Sequence, residues 1–429
     1  MRALALSGRS PLHRAAAAGA ALWLFAVLIA GCTVSRPARS EEQLAAHRAE
    51  LVEELIEGRE RLSRKLIARM IDEQDQAAAG DGAAPVIDYL ILSGGGDYGA
   101  FGAGVLKGWG TVTQPGMERP VFDVVSGVST GALIAPLAFV GTEEAYERAF
   151  QVYQNPKPEW SRLRGLLTSL ITKASLAEND WLRREIQAAI DDDTIRAIAE
   201  GHAEDRTLVI GTTNVDLGLL VMWDGALRAH EIVGGAAEPK RLHDIILASA
   251  ALPAVFPPVE IDGDLYVDGG VTRNIAYTTD QGSPVSMVNI WKREHGARPL
   301  PKTRIWVIIN NQLSTRMRQV SPGWDAQLGR SLELSIRSST ISALKGLRVA
   351  MELLRVRDGI DVEFRYLCIP DEWRPPVEGT FKKETMVSLA QLGYRLGADP
   401  ASWQTVVPDP ESPEPVDPEP DETDDGHRH

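Results

Sequence analysis

The sequence predicts an α/β fold of three layers. A mainly parallel sheet lies between helices, with an amphipathic helix before it and a disordered acidic tail after it. Short apolar runs at Val86–Leu92, Val121–Val125, Leu208–Thr212, Leu265–Val267 and Ile305–Ile309 read as buried strands. Helical stretches, Gly99–Trp109, Thr130–Val140, Arg241–Ala251 and Gln327–Arg357, alternate with them. Strands that are apolar throughout and separated by helices imply a parallel sheet covered on both faces. The chain, 429 residues long and 44% hydrophobic, is long enough for one large core with appended segments.

Four segments follow in order. Residues 1–31 read as an export signal: Arg2, Arg9 and Arg14 precede an apolar run, Ala15–Ala30, and no acid occurs before Glu41. The run is short for a membrane-spanning helix. Its exit, Ile29-Ala30-Gly31-Cys32, is similar to the lipobox of bacterial lipoproteins. The resemblance implies lipidation at Cys32 and an exported protein held on a membrane of the cell envelope. Thr33 replaces the aspartate that retains such proteins at the inner membrane, which favours the outer membrane where a cell has two. Residues 32–85 hold this cysteine, a charged helix and a linker. The helix, Ser40 to about Gln76, carries Leu44, Leu51, Leu55, Leu62, Leu66 and Met70 as one apolar stripe. Residues 86–407 read as the folded body. Residues 408–429 alternate proline with nine acids and one arginine, and such a segment cannot bury enough apolar surface to fold.

The net charge of −14 argues against nucleic acid as a partner. The two cysteines, Cys32 and Cys368, exclude a disulfide framework and a cysteine-rich metal site. Cys368 lies in Phe364–Ile369 and reads as a small apolar residue of a buried strand. No metal ligand set is identified, and the oligomeric state is not encoded in any recognisable pattern.

Three clusters carry chemistry. Gly127-Val128-Ser129-Thr130-Gly131 fits G-x-S-x-G between a strand and a helix. A serine on that sharp turn projects its Oγ outward, and the glycines Gly127 and Gly131 let the backbone turn and the substrate approach. The helix behind it lends partial positive charge. Gly94, Gly95 and Gly96 follow the first strand, where bare N–H groups make an anion nest. A phosphate loop would need a Lys-Ser/Thr pair that is missing, so an oxyanion hole is the better reading. Asp268, at the end of Leu265–Val267 and before Gly269-Gly270, occupies a strand end suited to a catalytic base, although a turn aspartate has the same local pattern.

Together these clusters resemble the patatin-like phospholipase family, which carries a glycine-rich oxyanion loop, a G-x-S-x-G serine and a D-G-G or D-G-A aspartate in that order. Ala248–Pro258 is also similar to a stretch of that family. The resemblance covers roughly residues 86–280. It implies a patatin-like fold, a lipid or acyl-ester substrate, a Ser129–Asp268 dyad without histidine, and no cofactor or calcium. Tyr98 stands where the family often has Arg or Lys, and Asn274 is followed by Ile275-Ala276 without the family's usual proline.

The rival chemistry is a Ser-His-Asp triad, for which chain order selects His295. Residues Pro156–Ala174 mix apolar and basic side chains and are a candidate lid or membrane contact, or else a helix docked on the core. An esterase or acyltransferase on non-lipid acyl groups, and a non-catalytic binding lipoprotein, are the alternative functions.

Overall fold

A computed structural model describes residues 36–80, 82–157, 180–253, 255–277, 283–315 and 317–408. The expectations for the export segment, Cys32 and almost all of the acidic tail lie outside these residues, as does most of Pro156–Ala174. The chain divides into two compact units, residues 1–49 and 50–429.

In the first unit the described part is the start of helix α1, Glu41–Ala78. Ser40 and Gln43 form a reciprocal capping box: the Gln43 N–H donates to Ser40 Oγ at 3.2 Å, and the Ser40 N–H to Gln43 Oε1 at 2.8 Å.

The second unit is built on one sheet of eight strands among the described residues. They are β1 (Val86–Leu92), β2 (Val124–Val128), β3 (Thr207–Asn214), β4 (Leu219–Asp224), β5 (Val259–Ile261), β6 (Asp264–Asp268), β7 (Lys302–Ile309) and β8 (Val362–Cys368). Strands β8, β7, β1, β2 and β3 are parallel neighbours in that order. Strands β4 and β6 pair with β3 antiparallel, and β5 pairs with β6 antiparallel. The parallel centre agrees with the expectation; the antiparallel margin does not, and it carries Asp268.

Side chains of a strand alternate between faces. Leu90 and Leu92 of β1 enter the larger core with Val125, Ile210, Trp306 and Ile308. That core is covered by α2 (Gly99–Trp109), α3 (Thr130–Val140), α4 (Glu143–Gln154), α5 (Asp180–Ala189), α6 (Asp192–Ala203), α7 (Gly225–Val233), α8 (Pro239–Ser249) and α11 (Lys383–Gly397). On the opposite face, Ile91, Ile305, Val307 and Ile309 meet Leu344 and Leu347 of α10 (Trp324–Asp358). Leu66, Ile67 and Met70 of α1 close the same face with Ile87 and with Ile290 and Trp291 of α9 (Met287–His295). The expected stripe of α1 is therefore a docking face at Leu66 and Met70.

One strand differs from its expectation. Val121 is 67% exposed, and β2 begins only at Val124, opposite Tyr89 of β1. The ladder instead continues through Gly127 and Val128, which the sequence pattern assigned to the turn. Cys368 closes β8 as a buried free thiol, with burial pushing its pKa up to about 12.

Candidate active site

Ser129 follows β2 directly and caps α3, with φ 55° and ψ −124°. A non-glycine residue in that region costs on the order of 1–3 kcal/mol and persists only where its surroundings over-determine it. Both flanking glycines are sterically required. A Cβ on Gly127 would lie 2.3 Å from the Gly131 carbonyl oxygen, and one on Gly131 would lie 2.4 Å from that of Leu92. The Ser129 N–H is already taken, donating to Ser249 Oγ at 3.0 Å. Ser249, fully buried at the end of α8, donates in turn to the Gly211 carbonyl at 2.6 Å. This chain ties the elbow to β3 and leaves the serine hydroxyl as its functional group.

The register of β3 explains how Asp268 reaches that hydroxyl. Strand β4 covers Val209–Asn214 along one edge of β3. Strand β6 pairs with Thr212–Asn214, so it must use the other edge, which β2 occupies only as far as Gly211. Strands β2 and β6 therefore meet head to head. Val128 lies opposite Gly211 and Asp268 opposite the next residue, Thr212. Antiparallel β6 is what aims its last residue at the residue after β2; the sequence reading, which set Asp268 in a parallel sheet, had this direction wrong.

Asp268 is 2% exposed. It accepts the Gly270 N–H at 2.7 Å, and the Ser129 hydroxyl faces it as a second donor that lowers its pKa. Burial pushes its pKa up to about 6, against the pull of those two donors. Among the described residues no histidine hydrogen-bonds it. His295 ends α9 rather than lying in a loop, and its ring packs on Trp291, which belongs to the cluster around Ile87 near the start of β1. Ser129 follows the opposite, C-terminal ends of the strands. His243 is buried with Nε2 2.8 Å from the Ile190 carbonyl.

The glycine loop is held from two sides. The Gly94 N–H donates to the Asn274 carbonyl at 3.2 Å, so Gly94, expected to donate to an oxyanion, is already committed. No hydrogen bond among the described residues uses the N–H of Gly95 or Gly96. A Cβ on Gly94 would come within 3.0 Å of Ser129 Cβ, which measures how closely the loop approaches the nucleophile. Gly96 takes φ +59° and opens a short 3₁₀ turn, Gly96–Tyr98.

Three asparagines brace this loop, Asn311 by donating from Nδ2 to the Gly94 carbonyl at 3.1 Å. Asn310, fully buried just past β7, donates from Nδ2 to the Ser93 carbonyl at 2.8 Å and accepts from the Gly102 N–H at 2.9 Å. Its own N–H donates to Ser93 Oγ at 2.9 Å. Asn274 donates from Nδ2 to Thr340 Oγ1 at 2.8 Å and, more weakly, to the Gly94 carbonyl at 3.4 Å. Sequence reasoning missed all three roles. The available signal was the polar run Asn310-Asn311-Gln312 directly after an apolar strand. Tyr98, in place of a basic residue, packs edge-on against Trp373 at 5.6 Å.

Asp97, 5% exposed, accepts the Phe381 N–H at 2.7 Å, and burial raises its pKa to about 6. Phe381 itself has φ 53°. Gly96, Ser129, Leu133, Trp181, Phe256 and Phe381 line one cavity of about 100 Å³. A serine hydroxyl on a strained turn, a buried carboxylate, uncommitted backbone N–H groups and an apolar recess are parts that acyl transfer can use.

Comparison with known proteins bears on the family and the fold. Residues 90–279 match the family model for patatin-like phospholipase. The mixed α/β architecture, a central and mostly parallel sheet flanked by helices, is consistent with the patatin-like fold. An uncharacterised protein, R571 of Acanthamoeba polyphaga mimivirus, is 27% identical over 194 residues. That match spans 45% of this chain and 61% of the relative, so about three fifths of that protein's length is covered. The crystal structure of VipD from Legionella pneumophila is similar at 12% identity and a TM-score of 0.35, over 76% of this chain and 68% of that one.

Proposed function

We propose that the protein is a lipid acyl hydrolase that cleaves carboxylic esters through a Ser129–Asp268 dyad. The observation that carries the reading is a strained-elbow serine whose side chain faces a buried carboxylate that has no ion pair among the described residues. Asp268 takes the hydroxyl proton as Ser129 Oγ attacks the ester carbonyl. The N–H groups of Gly95 and Gly96 stabilise the tetrahedral oxyanion, aided by the N-terminus of α3. As the intermediate collapses, the carbon–oxygen bond breaks and Asp268 returns its proton to the leaving alcohol. Water then attacks the acyl-enzyme, its proton passes to Asp268, and Ser129 leaves with that proton as the fatty acid departs. A base with a pKa near 6 is ionised at neutral pH yet still basic enough to take the proton.

The apolar lining of the recess beside Ser129 favours a hydrocarbon acyl group over a polar one. Export and lipidation at Cys32 would set this hydrolase on an envelope membrane, next to its substrate. Labelling with a fluorophosphonate probe tests the chemistry. Wild type reacts, Ser129→Ala does not, and Asp268→Asn reacts far more slowly; a folded wild type that fails to react refutes the dyad. Incorporation of labelled palmitate, lost in Cys32→Ser, tests the anchor separately.

A further inference from the structure

A cavity larger than the recess at Ser129 lies elsewhere within residues 50–429. It measures about 640 Å³ and lies on the other face of the sheet, walled by Tyr89, Ile91, Val209 and Ile305. Leu51, Leu55 and Leu62 of α1 line it from one side, Leu347, Met351 and Leu354 of α10 from another. The apolar stripe of α1 thus divides: Leu66 and Met70 are buried in the body, and the preceding leucines face this space. Its size and mostly apolar walls fall within the range of small-molecule sites.

The polar groups of the walls narrow the ligand. Ser126 donates to the Ala276 carbonyl at 2.7 Å, Tyr277 to the Ala343 carbonyl at 2.7 Å and Trp223 to Thr212 at 2.8 Å. Arg228 differs from these: its buried Nε has no hydrogen-bond partner among the described residues, while its Nη1 is held by Glu231 at 2.5 Å. Four arginines, Arg59, Arg61, Arg228 and Arg357, line the space against Glu54, Glu57 and Asp224. A long apolar volume edged by arginines, with the Arg228 Nε turned to it unfilled, suits a hydrocarbon chain that ends in an anion.

We propose that this cavity is a second, non-catalytic site that binds one long-chain fatty acid, with its carboxylate at Arg228. The site goes beyond the hydrolase reading and stands without it. The test is calorimetric titration of the delipidated full chain with hexadecanoate below its micellar concentration, with hexadecanol as the uncharged comparison. Wild type binds one equivalent saturably, and Arg228→Gln weakens hexadecanoate at least tenfold but not hexadecanol. Leu62→Trp and Leu354→Trp fill the cavity from opposite walls, so that one serves if the other fails to fold. Either plug abolishes binding, while hydrolysis of a short soluble ester stays within twofold of wild type. Leu133→Trp, which fills the recess at Ser129, leaves binding intact. No saturable binding by wild type, loss with Leu133→Trp alone, or equal binding in both folded plugs overturns the proposal.

Discussion

The two ends of the central sheet hold buried aspartates in opposite circumstances. At the N-terminal ends of the strands, Asp88 accepts from Arg304 Nε at 2.8 Å, Arg304 Nη2 at 2.5 Å and Trp306 Nε1 at 2.9 Å. Beside it Asp123 accepts the Asp88 N–H at 2.7 Å and pairs with Arg69 at 2.8 Å. At the C-terminal ends, Asp268 has only a hydroxyl and an amide. Titration alone would not tell these places apart, because burial holds Asp97, Asp123 and Asp268 all near 6. The partners distinguish them. A carboxylate clamped by arginine fastens strands together, and one that faces a serine on a strained turn is free to take a proton.

The sharpest test of that contrast is activity. Ser129→Ala and Asp268→Asn are each expected to lower kcat/KM by roughly 10³-fold or more, and the double variant to be no worse than the poorer single one. Additive losses in steady-state assays would mean that the two residues do not act as a unit. At the other end, Arg304→Leu leaves Asp88 buried without its cation and is expected to destabilise by about 3–5 kcal/mol. Urea unfolding measures this, and kcat of the folded enzyme stays near wild type.

Asn310→Ala removes the brace beneath the glycine loop. A fall in kcat on the order of 10²-fold with little change in KM is expected, because only the oxyanion is misplaced. A change confined to KM would assign Asn310 to substrate binding instead. Asp268→Asn should also stabilise the protein at pH 8. With its native pKa raised to about 6 from 3.8, Asp268 lowers stability as pH rises through that window, and the amide escapes the penalty. The gain is on the order of 2 kcal/mol by thermal unfolding, and it disappears below about pH 4. Finally, kcat/KM of the wild type should fall about tenfold per pH unit below about 6, where the base becomes protonated.

Much of the catalytic end was legible because its constraints are local. A Cβ at Gly127 or Gly131 meets backbone within a few residues or on the adjacent strand, so the G-x-S-x-G pattern directly reflects a steric rule. The start of β2 was misplaced because Val121 resembles a strand residue, yet it lies outside the ladder and is exposed. Asn274 and Asn310 were illegible for a different reason. Each acts on a loop some 180 to 217 positions away in the chain, and asparagine alone does not name its partner.

By itself the sequence determined the alternation of buried strands and helices, the serine turn and the glycine loop, since periodicity and backbone sterics are written in neighbouring residues. Only the tertiary structure decided that β6 runs antiparallel on the edge of β3 that β2 leaves free, and that Gly94 is already bonded. It also decided that a second, larger cavity lies behind the sheet. Those outcomes depend on which strands share an edge and which faces fail to close, and such long-range pairings leave no periodic trace in the chain.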